Sequence, residues 1–221
     1  MATQAVSPAI SSGVSSGVTS LRHEFPALAL AITFIPRQAR SLYADLFLLW
    51  MEARRATYAN EPMISAVRLA WWRDAIINKD SQSVPLAERL IAWGEGHPIA
   101  LNAITDILNQ MISLLAGGAP KQEALAIWHS AIASQIMRLG QNDNDEPEKG
   151  SEIIEQASQI LHALDQYLLG QRETPIPAFA GKNIILRLII WLLREPSRLY
   201  YPDQQPLLAL KMVLAVVFRR V

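Results

Sequence analysis

RQARSLYADLFLLWMEARRATYANEPMISAVRLAWWRDAIINKD, residues 37–80, decides the fold class of this chain. Leu42, Leu46, Leu49, Ala53 and Ala56 recur at i, i+4, i+7, i+11 and i+14, an apolar stripe along one long helix. Pro62 ends or restarts it, because proline has no amide hydrogen to donate inside a helix. Beyond it, Ile64, Val67, Trp71 and Ala75 share one helical face, and Leu69, Trp72 and Ile76 share another. A helix apolar on most sides predicts burial, here of both Trp71 and Trp72.

Outward from this stretch the punctuation stays helical. Pro85 opens a short helix to about Trp93, and His97-Pro98 opens another to Leu115. Pro120 starts a third, ending at Gly140. Residues 141–150 read as a solvated polar turn; Pro147 spoils any resemblance to a calcium loop. Ser151 caps a helix that Gly170 closes. Two more follow, over 182–194 and 206–220. No segment alternates with period two. The expectation is an all-α domain of about nine helices over residues 21–221, preceded by a disordered tail at 1–20 that carries no charged residue.

Composition narrows the chemistry. Twenty Lys and Arg balance twenty Asp and Glu, which disfavours nucleic acid as a partner. There is no cysteine, so disulfides, thiolate catalysis and cysteine-based metal sites are excluded. Residues 184–193 and 207–218 are apolar but shorter than the roughly 20 residues that span a bilayer. The expectation is a cytoplasmic protein without a transmembrane segment. The C-terminal run ending in Arg219-Arg220 offers peripheral contact with the inner membrane.

His23, His97, His129 and His162 lie far apart in sequence, and no metal site is expected from them. His129 and His162 read as surface or hydrogen-bonded core residues. Arg54, Arg55, Arg68 and Arg73 fall on two successive helices, where guanidinium forks could grip a diphosphate. Arg68 and Trp72, four apart, suit a cation–π pair. The competing reading pairs these arginines with Glu52, Glu61 and Asp74 as packing charges.

Glu61-Pro62 followed by Val67-Arg-Leu-Ala-Trp-Trp-Arg-Asp-Ala75, with Arg40-Ser-Leu-Tyr-Ala44 upstream, resembles the squalene/phytoene synthase family. Its members carry E-P…R-L-x-W-W-R-D-A after a helix containing R…L-Y-A. Gly96-His-Pro-Ile-Ala100 is similar to the family's H-P-V-A helix start. Residues 157–177 are similar in outline to its A-x-x-L-T-N-I-L-R-D…G-R-x-Y-L-P segment. The likeness covers about residues 25–215 and is nearest the divergent bacterial branch, which includes a mitochondrial complex I assembly factor.

The resemblance implies a single isoprenoid-synthase-like bundle. Catalytic members join two prenyl diphosphates head to head, with Mg2+ held by acidic pairs on two facing helices. Here the acidic positions are reduced to Glu52, whose partner position is Ala56, and Asp165, whose partner position is Leu169. The expected function is therefore a non-catalytic prenyl-lipid-binding or assembly factor, with a prenyl diphosphate, another lipid or a protein as partner and no cofactor. The alternative is an active, Mg2+-dependent transferase of farnesyl or geranylgeranyl groups in squalene, phytoene, hopanoid or carotenoid biosynthesis. Ligand-binding candidates are Arg54, Arg55, Arg68, Trp72 and Arg73, joined by Arg172 through the 157–177 resemblance. Glu52 and Asp165 are expected to face each other across the bundle.

Overall fold

The computed structural model describes residues 17–139, 151–171 and 174–194, with positions 208, 211, 212 and 215. Among these residues the chain forms nine α-helices and no strand: α1 (Gly17–Glu24), α2 (Pro26–Ile32), α3 (Arg37–Thr57), α4 (Pro62–Ile77), α5 (Pro85–Gly96), α6 (Pro98–Ala116), α7 (Lys121–Leu139), α8 (Ser151–Leu168) and α9 (Ile184–Leu193). Arg172, residues 141–150 and Arg219-Arg220 lie outside the described residues. Of the expected C-terminal helix, positions 208, 211, 212 and 215 are helical, with Leu208, Met212 and Ala215 buried.

Proline at the first helical positions starts α2, α4, α5 and α6, where its missing amide hydrogen would have had no partner. Asn183 caps α9: its side chain accepts from the Ile185 and Leu186 amides at 3.1 and 3.3 Å. The other end of that amide donates to the Ile136 carbonyl at 3.1 Å, which also accepts from the Tyr43 hydroxyl at 3.2 Å. One buried polar knot thus ties α9 to α3 and α7.

Two expectations are corrected here. Residues 17–20 are not tail but the first half of α1, whose Leu21 is fully buried against the bundle. The uncharged composition of the stretch concealed a short docking helix. α4, expected to be enclosed, buries the Leu69, Trp72 and Ile76 face but leaves Met63, Ile64 and Val67 in solvent.

α3 is the axis of the fold. It packs on α1, α4, α5 and α7, so burial extends all round it rather than along one stripe. All residues from Tyr43 through Met51 are buried, Asp45 among them. α6 is long and apolar enough by composition to cross a membrane. Its Ile104, Leu108, Met111 and Leu115 are nevertheless buried, whereas Asn102, Asp106, Asn109 and Gln110 face outward. That polar stripe is the pattern of a helix packed on a water-facing core.

Candidate functional site: a cleft beside the central helix

A cleft of about 720 Å³ lies between α1, α3, α4 and the start of α5. Its walls are Leu48 and Ala56 from α3, Trp71 and Trp72 from α4, and Val84, Pro85 and Leu86 from the α5 entrance. Charged and polar side chains rim it: Ser20, His23 and Glu24 from α1, Glu52 and Arg55 from α3, Arg68 from α4 and Arg89 from α5. The volume lies within the roughly 300–1,000 Å³ of small-molecule sites, and apolar walls with a few polar groups are their usual make-up.

The arginines of the rim differ in their engagements. Arg55 donates to Glu52 at 2.7 Å and also grips Glu24, so one guanidinium bridges two helices and two carboxylates. The hydrogen bond it donates to Glu24 is the main reason its pKa is raised further. Arg89 donates to Asp45 at 2.8 Å. Burial pushes the Asp45 carboxyl above its usual range, and the Arg89 contact opposes that rise without cancelling it. Arg68 has no acidic partner among the described residues. It is exposed at the rim, beside Trp71 and the buried Trp72. Trp71 is half-buried, not buried as expected, and its Nε1 donates to Gln82 Oε1 at 2.9 Å, which fixes the indole on the cleft wall.

The candidates therefore separate into three places. Glu52, Arg55, Arg68 and Trp72 meet in the cleft. Arg54 and Asp165 pair in the interior, where Asp165 is fully buried and also accepts from the Tyr58 hydroxyl at 2.8 Å. Arg73 lies elsewhere on α4, held by Asp74 at 2.7 Å and by Asn109 at 3.1 Å. Glu52 and Asp165 consequently do not face each other across a shared cavity. Position 52 turns to the cleft rim, and the interior route from α3 to α8 is taken by Arg54. Among the described residues the cation–π contact is not Arg68 with Trp72 but Arg54, whose guanidinium lies 5.2 Å from the Tyr58 centroid. Burial, and then Asp165, raise the Tyr58 hydroxyl well above its ordinary pKa, so it stays a donor.

These residues do not fit a magnesium–diphosphate cluster. Such a cluster needs carboxylate oxygens free to coordinate. Asp165 spends both oxygens on Arg54 and Tyr58, and Glu24, Glu52 and Asp45 are each held through one oxygen by an arginine, Arg55 or Arg89. Among the described residues no group of three or more His, Asp or Glu side chains could hold a metal ion.

Sequence reasoning missed Glu24, Arg89 and His23 as rim residues. For Arg89 a signal existed: a carboxylate inside the apolar run 43–51 must find a buried cation. His129 is 1% exposed, and both its ring nitrogens lack a partner, contrary to the expectation of a surface or hydrogen-bonded residue. No protein-family model, curated protein or solved structure matches the chain.

Proposed function

We propose that this chain is a squalene/phytoene synthase-like binding protein that holds an anionic amphiphile of the prenyl diphosphate class in the α1–α3–α4–α5 cleft. It does so without metal-assisted ionisation and holds or hands on its ligand rather than condensing it. The apolar tail lies against Leu48, Trp71, Trp72 and Leu86, and the anionic head meets Arg68. The observation that carries this reading is the division of labour among the arginines. Arg55 and Arg54 engage Glu52 and Asp165, the two remnant acidic positions, while Arg68 has no acidic partner among the described residues and stands at the rim of an apolar cleft. A guanidinium fork matches phosphate oxygens and needs no metal to do so.

Titration calorimetry with farnesyl diphosphate, farnesol and inorganic diphosphate, each with and without Mg2+, tests the proposal. The expected result is binding of farnesyl diphosphate that Mg2+ does not tighten, that salt weakens, and that Arg68→Gln reduces at least tenfold. Farnesol should bind more weakly, since it lacks the anion. Condensation products formed from farnesyl or geranylgeranyl diphosphate with Mg2+, and abolished by Glu52→Gln, would overturn the reading in favour of an active transferase.

A further inference from the structure

We infer that the outward face of α4 is a docking surface for an anionic lipid bilayer, and that it sets the mouth of the cleft at the membrane. Met63, Ile64 and Val67 are 65%, 42% and 61% exposed within the first turns of one helix. At about 100° per residue, Met63, Val67, Trp71, Ile64 and Arg68 follow one another around the helix in that order. Trp71 and Arg68 are also wall and rim of the cleft, so the apolar face and the cleft entrance are one continuous surface.

Two features of this face select a bilayer as its occupant. The first is area. The exposed parts of these three side chains amount to on the order of 300 Å², well below the roughly 800 Å² per partner of a stable protein interface. A patch of that size suits shallow, reversible insertion. The second is charge. Arg68 stands on the face without an acidic partner among the described residues; Asp74 is neutralised by Arg73, and exposed Glu61 stands ahead of the first turn, at the far end of the face from Trp71. A helix with bulky apolar side chains, a tryptophan at the margin and an unpaired arginine matches the apolar boundary and anionic headgroups of a membrane surface.

The inference rests on the cleft holding an amphiphile, because docking at this face lets such a ligand pass between bilayer and cleft without crossing water. It is tested apart from that reading by co-sedimentation of the full chain with vesicles. One set is phosphatidylcholine alone; the other contains about one third phosphatidylglycerol. The expected result is preferential pelleting with the anionic vesicles, reduced at least tenfold by Val67→Asp. Ile99→Asp, which alters an exposed isoleucine at the start of α6, should leave pelleting unchanged. Val67 does not line the cleft, so Val67→Asp should bind farnesyl diphosphate in vesicle-free solution as the parent does. Equal pelleting of parent and Val67→Asp overturns the inference. So does light scattering that shows a parent dimer converted to a monomer by Val67→Asp, since the face then covers a second copy. Loss of farnesyl diphosphate binding with vesicle binding intact would instead remove the cleft reading and leave the docking face standing.

Discussion

Acidification below about pH 6.5 should destabilise the fold through His129. The ring lies on α7 with its centroid 6.1 Å from Trp50 and 5.8 Å from His162. Burial, then the positive charges of His162 and Arg54, hold its pKa down to about 3, against an ordinary value of 6.5. In that window the unfolded chain binds a proton at His129 and the folded chain does not. Stability therefore falls as pH falls, by about 1.4 kcal/mol per unit. From pH 6.5 to 4.5 this one residue should remove about 2 kcal/mol, a large part of the ~5–15 kcal/mol that holds a typical domain together. His129→Leu deletes both the titration and two unpartnered ring nitrogens, so near pH 7.5 the variant should be as stable as the parent or more so. Urea unfolding of both proteins at pH 7.5, 6.5, 5.5 and 4.5 supplies the test. Carboxylates contribute to the acid limb of both curves, and the difference between them isolates the histidine. Parallel curves, or a His129 proton resonance titrating near pH 6.5 in the folded protein, would refute the argument.

Asp165→Asn should cost about 3–5 kcal/mol, read as a lowered urea midpoint, because it leaves the Arg54 charge largely buried without its partner. Lys79 adopts φ 53° at the end of α4, where its amide donates to Ile76 and the Asp80 amide donates to Ala75 in the pattern that favours glycine. Lys79→Gly should therefore raise the melting temperature, by the equivalent of about 0.5–1 kcal/mol. Gly17→Ala should lower stability by about 1–3 kcal/mol in the same measurement. A β-carbon there would collide with the Asp45 carboxylate, which Arg89 holds in place, and would stand 3.1 Å from the Ser41 carbonyl oxygen. Glu24→Gln should tighten farnesyl diphosphate a few-fold at low ionic strength in calorimetry, and the gain should shrink with added salt.

The helices that prolines and glycines punctuate were legible in sequence, as was the all-α class, because both follow from local backbone chemistry. α1 and α2 were not. At eight and seven residues these helices are too short to show a periodic contrast, and α1 forms because α3 offers Leu21 and its neighbours a surface. The arginine cluster of residues 54–73 was legible as a set but not as a site, because each guanidinium's direction depends on a partner distant in sequence. Arg54 finds Asp165 and Arg89 finds Asp45, and neither choice is written in local spacing. Adjacent residues on α3 illustrate the point: Arg54 turns inward to α8, while Arg55 turns to α1 and the cleft rim.

The same ion pairs polarise the cleft. Glu24, Glu52 and Arg55 together carry one net negative charge at its α1–α3 end, and Asp45 with Arg89 sums to zero. Arg68 leaves one positive charge at the α4 end. A bound divalent cation would reverse the first of these charges and draw an anion toward Glu52. Arg55, a single charge already shared between two carboxylates, does not. An anionic head is therefore repelled from the remnant acidic position and attracted to Arg68, beside the exposed face of α4. The direction in which an amphiphile would lie follows from that gradient: head at the rim next to the docking face, tail over Trp72 toward Leu48.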